Sequence, residues 1–426
     1  MENILKKVQC DVEETDLSFL DEAKKRAGSI AVRKTAFVQE KGVRSELSYK
    51  KIKAKSGELM YHYHLCCRNL AEFQNQAEEL EILLKEEKLH LDRFGVSIDY
   101  AMALPETIRE QNRRGDALYF AEQEDWNILG IYPEMQPHLG DNMIGSPASY
   151  SLVQKALSAG VTTIGNVSQF FGWDYPEYTD VKQRTKSTLQ AIALMAEKKK
   201  DGALIHSNLD DGYGDKAGDL GLLIGCALLE KYIIETLMGA KIAHSFGDMF
   251  YSPMKRLVFL SALKQIHGQE MVGSMIFANK LGRNKKKIEL NTAHMSEHLL
   301  FDMAGQYIYQ TGHAVTTMAN QGLTPQVSSR EIIQTLEYAR ELEGYLPHIV
   351  DTIDFEKIDN TAKKVVYRGK LFFEAVLEYL GGFIDVENPY AMLLAVKEIG
   401  IKYLTERFER KQDTEIIIAD YNLYEH

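Results

Sequence analysis

The sequence contains few cysteines and no long apolar run. Its four cysteines, Cys10, Cys66, Cys67 and Cys226, form neither a CxxC motif nor a recognisable disulfide framework. This usage is typical of a protein from a reducing compartment. The most apolar stretch, LGLLIGCALL (220–229), has 10 residues, whereas a membrane-spanning helix needs about 20. We therefore expect no membrane span and interpret this stretch as a buried helix that packs against a sheet.

The sequence also shows neither a signal-peptide pattern at its start nor an excess of basic residues. The first residues, MENILKKVQCDVEETD, contain no apolar core of the kind that directs secretion, so we expect a cytoplasmic protein. Asp and Glu (61) outnumber Lys and Arg (50), which gives a net charge of −11. Nonspecific nucleic-acid binding requires a basic surface, so this class of function is not expected. A chain of 426 residues, 45% of them hydrophobic, is long enough for a sizeable core with appended elements.

Proline is absent before Pro105. Residues 58–93 contain neither Gly nor Pro, and their apolar residues recur at steps of three and four, which predicts a long amphipathic helix. We assign residues 1–93 to a helical N-terminal region. At the other end, residues 328–350 open with a Ser-x-x-Glu capping box and are followed by more helix-like sequence. We assign residues 321–426 to a helical C-terminal region.

Between these regions, short apolar runs alternate with helix-like sequence. Six runs each end in a polar loop, and a seventh, EMVGSMIFANKLG (270–282), follows the same rhythm. The six are FGVSIDYAM (94–102), WNILGIYPEMQPH (126–138), GVTTIGNVSQ (160–169), GALIHSNLDDGYGD (202–215), GAKIAHSFGDMF (239–250) and AGQYIYQTGHAV (304–315). Such alternation predicts βα units and a parallel sheet. About seven units favour a (β/α)8 TIM barrel over residues 94–320, with its chemistry on the loops after the strands. The polar residues in those loops are Asp99, His138, Asn166, Asp210, Asp248 and His313.

The order of several segments resembles the large (epsilon) subunit of cobalamin-dependent glutamate mutase (methylaspartate mutase). The likeness extends over about residues 94–330 and consists of shared order and spacing. Its elements are SID (97–99) followed by REQN (109–112), similar to Thr-Ile-Asp…Arg-Gln-Asn; GSPASYSLVQKALSAG (145–160), similar to a Gly-Thr-Pro-led helix; GAKIAHSFGDMF (239–250), similar to a strand with a Gly-Tyr-Gly-Glu loop; and MAGQYIYQTGHAV (303–315), similar to Leu-Ala-Gly…Lys-Thr-Pro-His-Glu.

The resemblance implies a barrel that covers the upper face of adenosylcobalamin. An adenosyl radical would abstract a substrate hydrogen, and the substrate would rearrange inside the barrel. The cobalamin-binding DxHxxG signature is absent here and lies on a separate small subunit in that family, so a hetero-oligomer with such a partner is implied. The family's substrate-carboxylate arginine aligns near Ile144, and its loop lysine is Gln310 here. We therefore expect a small acid other than glutamate as substrate.

The resemblance also assigns roles to residues at the predicted strand ends. The candidate catalytic residues are Asp99, Asp248 and His313. The candidate substrate-binding residues are Arg109, whose planar fork suits a carboxylate, Asn166, Tyr175 and Tyr178. The candidate cofactor-binding residues are Gly212, Gly214, Gly247, Gln310, Thr311 and Gly312. Structural alternatives stay open: Asp248 as a helix cap, His313 as the partner of a loop carbonyl, Arg109 on a solvated helix face, and residues 208–219 as a lid. No metal is expected among these residues.

One motif favours a different class of enzyme. AHMSEHLLF (293–301) contains His294, Glu297 and His298 in the H-x-x-E-H pattern of inverzincin metallopeptidases, with Glu374 as a possible third zinc ligand. Against this, the motif falls on a predicted barrel helix, away from the strand ends. Two further alternatives are a non-catalytic barrel that assists a mutase and a subunit of a cobalamin aminomutase that also uses pyridoxal phosphate.

Overall fold

The computed structural model describes residues 1–247, 252–268, 288–312, 314–316 and 327–411. Asp248, His313 and the apolar run at 270–282 lie outside the described residues.

A parallel sheet forms the centre of the molecule. Within the described ranges it has seven strands in the order β6-β5-β4-β3-β2-β1-β7. The strands are β1 (Met60–Leu65), β2 (Arg93–Val96), β3 (Gln136–Leu139), β4 (Thr163–Ile164), β5 (Leu204–Asn208), β6 (Ile242–Ser245) and β7 (Ala314–Thr316). The last strand pairs with the first, through Met60 opposite Ala314 and His62 opposite Thr316. The predicted parallel α/β class is confirmed, and the sheet has the shape of a curled half-barrel.

Helices cover the outer face of the sheet and extend beyond it at both chain ends. In the described part of the chain they are α1 (Glu2–Glu13), α2 (Ser18–Ala27), α3 (Ala36–Glu40), α4 (Glu46–Ser56), α5 (Leu70–Glu86), α6 (Glu106–Arg109), α7 (Gln123–Asn127), α8 (Ser149–Ser158), α9 (Ser168–Gly172), α10 (Val181–Glu197), α11 (Leu209–Ala217), α12 (Leu220–Lys231), α13 (Pro253–His267), α14 (Ile288–Tyr309), α15 (Ser329–Glu343), α16 (Leu346–Val350), α17 (Phe355–Gly381), α18 (Pro389–Ile399) and α19 (Ile401–Lys411).

The prediction of one long helix over 58–93 is wrong at its start. Residues 60–65 form β1, and α5 begins only at Leu70, where Asn69 caps it by accepting a hydrogen bond from the Glu72 amide. Tyr61 faces outward and donates a hydrogen bond to Glu343 on α15, whereas His62 faces inward. The alternation of aromatic and imidazole side chains in MYHYHL has the period of a strand, and the polar inner positions concealed it.

Two of the apolar runs begin as helix. In the run at 126–138, Trp126 lies in α7 and only the last residues, from Gln136, enter β3. In the run at 304–315, residues up to Tyr309 complete α14, and the strand begins at Ala314. Amphipathic sequence of this length fits a helix and a strand about equally well, which explains both errors.

The segment after β5 is a helix and not a loop. Leu209–Ala217 form α11, which packs closely on α9. A Cβ on Gly212 would lie 2.4 Å from the Ser168 carbonyl oxygen, so only glycine permits this approach. Residues 209–217 are thus a packed helix, and the structural alternative of a lid over residues 208–219 stays a prediction.

The C-terminal helices pack on the outer helices of the sheet. Stretch 220–229 is confirmed as a buried helix, α12, which crosses α17 so closely that a Cβ on Gly225 would lie 2.3 Å from Phe372 Cδ1. The predicted capping box at Ser328 is also confirmed. Among the helices that the structure describes, none has both the length and the apolar character needed to cross a membrane.

Candidate functional site

Imidazole side chains from alternate strands meet on the concave face of the sheet. The ring centroids of His62 on β1 and His138 on β3 are 5.8 Å apart, and those of His138 and His206 on β5 are 4.8 Å apart. Strands two places apart in a flat sheet are separated by roughly 9.5 Å. The rings can therefore meet only because the sheet curls around them. All three side chains are buried.

Glycines on the intervening strands make room for these rings. A Cβ on Gly95 of β2 would lie 2.7 Å from His64 Nδ1 and 3.2 Å from His62 Nε2. A Cβ on Gly165, just after β4, would lie 2.8 Å from His206 Nδ1. Side chains from alternate strands form layers inside (β/α)8 barrels as well, but there they are mostly branched and apolar. Here the corresponding layer is built from imidazoles.

A buried ion-pair network lies against this layer. Glu46 Oε1 on α4 is 2.9 Å from Lys50 Nζ and 3.3 Å from Arg93 Nη1, and all three side chains are 0–1% exposed. Arg93 Nε in turn donates a hydrogen bond of 3.1 Å to His62 Nδ1. We call Glu46, Lys50, His62, Arg93, His138 and His206 the inner cluster. Two cations against one carboxylate give it an excess of positive charge.

Several polar atoms of the inner cluster have no hydrogen-bond partner. Because His62 Nδ1 accepts from Arg93, neutral His62 carries its proton on Nε2, which is buried and unpartnered. Arg93 Nη2 and His206 Nδ1 are buried and unpartnered as well, although His206 Nε2 lies 2.7 Å from Ser245 Oγ. Such atoms cost about 1–3 kcal/mol each, and proteins normally satisfy them. The concave face therefore offers open hydrogen-bond donors to a ligand.

The environment keeps the imidazoles neutral. Burial, and after it the positive charge of Arg93, lowers the pKa of His62, His138 and His206 well below the usual value. Burial also lowers the pKa of Lys50 to about 8. His138 Nδ1 donates to the Thr163 carbonyl oxygen at 3.1 Å, so the neutral ring presents a lone pair on Nε2. The inner cluster can thus hold an anion with fixed donors and offer one neutral base.

Asp99 lies inside a loop that it holds together. Its carboxylate is fully buried and accepts hydrogen bonds from the backbone amides of Ala101 (2.9 Å), Arg114 (3.1 Å) and Gly115 (2.7 Å). These contacts fix the chain that follows β2. They give Asp99 a structural task, and its predicted catalytic role stays a prediction.

Arg109 is not on a solvated helix face. It is 9% exposed, its Nε donates to the Leu104 carbonyl oxygen at 2.8 Å, and Nη1 is 3.7 Å from Glu106. Nη2 is buried without a hydrogen-bond partner. Arg109 therefore keeps one open donor.

The predicted substrate-binding tyrosines lie in one aromatic cluster. Tyr175 stacks on Tyr100 with centroids 5.7 Å apart, its hydroxyl is 3.2 Å from Asn142 Oδ1, and Tyr178 packs against the same group. Asn166 is separate from them. Its Nδ2 donates to Asp211 at 2.7 Å, and its Oδ1 accepts from the Asn208 amide at 2.7 Å. The structure therefore brings the tyrosines together but ties Asn166 to the end of β5 and to the start of α11.

Gly212, Gly214 and Gly247 lie within packed segments. The two glycines at 212 and 214 are part of α11. The Gly247 amide donates to Asp210 Oδ2 at 2.8 Å, and its carbonyl accepts from Arg256 Nη1 at 2.7 Å. These contacts lie within the chain itself.

Gln310, Thr311 and Gly312 lie at the opposite end of the sheet from the one we expected. They connect α14 to β7 and therefore precede the strand, at its amino end. A Cβ on Gly312 would lie 2.9 Å from the Lys50 carbonyl oxygen, so this loop packs on α4. The expectation of a loop after the strand is wrong because the strand begins at Ala314.

The H-x-x-E-H motif lies on α14. His294 and Glu297 are exposed, whereas His298 is 3% exposed. Over the described ranges, no group of three or more His, Cys, Asp or Glu side chains could hold a metal ion. The structure therefore gives no support to a zinc site at this motif.

No protein-family model matches the chain, and no curated protein matches it significantly. The resemblance to the glutamate mutase subunit stays a prediction, and the inner cluster has to be interpreted from its own chemistry.

Lys50, His62, Arg93 and His206 are not among the residues predicted from the sequence. Three of them share one signal, a basic or imidazole side chain within a strand-like run, as in MYHYHL, RFGV and LIHSN. Such a residue is costly to bury and so indicates a function or a paired partner. Lys50 carries no such signal because it lies on an otherwise ordinary polar helix.

Proposed function

We propose that the chain is the barrel subunit of an adenosylcobalamin-dependent radical mutase that rearranges a small acid other than glutamate. The proposal includes a closed (β/α)8 barrel and a separate small subunit that holds cobalamin. The inner cluster is the observation that carries the substrate class, because it is cationic, buried and rich in open donors. The reaction class depends on the resemblance of the segments.

The inner cluster suits a carboxylate. Arg93 Nη2 and His62 Nε2 are open donors on neighbouring strands, and their residues lie opposite each other in the strand register. Charge-assisted hydrogen bonds to a carboxylate are about twice as strong as neutral ones. Arg93 would thus take the role of the family arginine that Ile144 replaces.

His138 would act on a bound acid as a neutral base or acceptor. A Cβ on Gly140, just after β3, would lie 3.5 Å from His138 Nε2, so this nitrogen faces the carboxyl end of the sheet. The substrate would reach the inner cluster from that end, as in other parallel barrels. Burial of the cluster keeps water away from reactive intermediates.

The residues predicted to bind the cofactor do not fit that group. Gln310, Thr311 and Gly312 lie at the amino end of β7. Gly212 packs directly against Ser168, so no space is left beside it. We therefore assign no cobalamin contact to this chain, whose own residues bind and orient the acid. Bound cobalamin would supply the radical chemistry.

The proposal is tested by purifying the chain from its native cells with its partners and recording the absorbance spectrum of the complex. We expect a small co-purifying subunit and the spectrum of a corrin. A chain that purifies alone and without a corrin would contradict the mutase assignment.

Substrate binding is tested separately by thermal shift with a panel of small mono- and dicarboxylic acids. We expect at least one acid to raise the melting temperature of the wild type but not of Arg93→Gln. Arg113→Gln is the matched control, because Arg113 is exposed and its replacement removes the same charge. An equal shift in all three proteins would exclude Arg93 as the anchor.

A further inference from the structure

A cavity lies at the amino end of the sheet. It has a volume of about 210 Å³. The polar residues that line it are Arg33, Lys34, Arg44, Ser45, Glu46, Thr162 and Asp201. It lies between the segment that leads into α4 and the chain before β4 and β5, where no residue predicted from the sequence falls.

The cavity contains a buried donor without a partner. Thr162 is 4% exposed, lines the cavity, and its Oγ1 makes no hydrogen bond. Its neighbour Thr163, in contrast, accepts from Lys50 Nζ through Oγ1 and from His138 through its carbonyl oxygen. A buried hydroxyl without a partner, on a residue that lines a cavity, indicates a polar ligand.

The charges around the cavity favour an anion. Lys34 and Arg44 form no ion pair with any described residue, and Arg33 contacts only the Asn127 carbonyl oxygen, at 3.3 Å. The negative charge of Glu46 is balanced by its ion pairs with Lys50 and Arg93 in the inner cluster. Asp201 lies 3.9 Å from Lys198. The cations of the cavity are therefore in excess.

The start of α4 adds to this preference. The helix has 11 residues, and Ser45 caps it by accepting from the Ser48 amide at 3.2 Å. Ser45 and Glu46 both line the cavity. A helix N-terminus carries a partial positive charge and binds anions readily.

Two glycines bring the walls together. Gly160 has φ +90°, and a Cβ there would lie 2.5 Å from the Arg33 carbonyl oxygen. Gly202 has φ +94°, and a Cβ there would lie 2.4 Å from Ser45 Cβ. The cavity is therefore built into the packing of the chain and does not depend on a loose surface loop.

We propose that this cavity binds a phosphate-class oxyanion, either inorganic phosphate or the phosphate group of a small monoester. Thr162 Oγ1 would donate one hydrogen bond, and Arg44 and Lys34 would supply the charge. The site shares Glu46 with the inner cluster, but the proposal does not require a small acid on the concave face and would stand if that function were wrong.

The test is calorimetric titration of the full chain with inorganic phosphate and, in parallel, glycerol phosphate. We expect saturable binding to the wild type and about tenfold weaker binding to Thr162→Val and to Arg44→Ala, because each loses a charged or buried hydrogen bond. Tighter binding of glycerol phosphate would assign the site to a monoester, and weaker binding would assign it to free phosphate.

Lys25→Ala is the matched control, because Lys25 is exposed on α2 and does not line the cavity. It should bind phosphate as the wild type does. Absence of saturable binding to the wild type, or an equal loss in Lys25→Ala and Arg44→Ala, would overturn the proposal. Arg44 is exposed, so Arg44→Ala gives a result even if Thr162→Val does not fold.

Discussion

The imidazole layer predicts that the protein loses stability in weak acid. His62, His138 and His206 are at most 2% exposed, and burial lowers the pKa of each well below its usual value. The unfolded chain takes up protons on these residues below about pH 6.5, whereas the folded chain does not. Their contribution to stability is therefore fully present above about pH 6.5 and is lost as the pH falls below it.

The size of the effect follows from the number of histidines. Between pH 7 and pH 5.5 the unfolded state gains about 1.3 kcal/mol for each such histidine, and about 4 kcal/mol for the three. His267, whose Nε2 lies 2.8 Å from His244 Nδ1, adds a loss of the same sign, because burial lowers its pKa as well. Domains are typically stable by about 5–15 kcal/mol, so this loss is a large part of the stability of a typical domain.

The assay is urea denaturation of the chain at pH 7, 6.5, 6 and 5.5, followed by circular dichroism. We expect His206→Asn to lose about 1.3 kcal/mol less than the wild type over this range, whatever its stability at pH 7. His348→Asn is the control, because His348 is exposed and should follow the wild type. A free energy of unfolding that stays constant between pH 6.5 and 5.5 would refute the inference that the layer is neutral and buried.

Three further substitutions test the packing. Gly165→Ala should destabilise by about 1–3 kcal/mol, measured by urea denaturation, because the new Cβ meets His206 Nδ1 at 2.8 Å; an unchanged midpoint would show that the ring can move away. Gly225→Ala should cost a similar amount because its Cβ meets Phe372 at 2.3 Å, and Phe372→Leu in the same chain should recover part of it. Asp99→Ala should cost about 3 kcal/mol or more because three backbone amides lose their acceptor; rapid hydrogen exchange of those amides without global unfolding would confine the effect to the loop.

The sequence predicted strands that begin with apolar residues and lead directly into a helix-like segment. β5 and β6 lie within runs that a helix-like segment follows, and such local patterns predict βα units well. β1 was not predicted because His62 and His64 occupy its inward positions. Its apolar residues therefore do not form the continuous run by which the other strands were recognised. β7 escaped because it has three residues and follows a longer amphipathic run that belongs to α14.

Only those features of the site that depend on a short stretch of sequence could be predicted. Asp99 was correctly recognised as a polar residue near the end of a strand, but its hydrogen bonds to the amides of Arg114 and Gly115 depend on how the loop folds back. The inner cluster joins residues from Glu46 to His206, and no periodicity in the sequence links positions so far apart. Its ion pair and ring contacts arise from the curl of the sheet.

The pairing of β7 with β1 also sets the order in which the chain can fold. Met60 and Ala314 are partners in the sheet but are 254 positions apart, since 314 − 60 = 254. A ribosome that adds about 5–20 residues per second needs on the order of 10–50 s to make the intervening chain. During that time β1 can pair only with β2. Its other edge, which later pairs with β7, is exposed and can pair with strands of other chains. The newly made chain therefore passes through a period in which a chaperone, or rapid burial of that edge by its own helices, would protect it from aggregation.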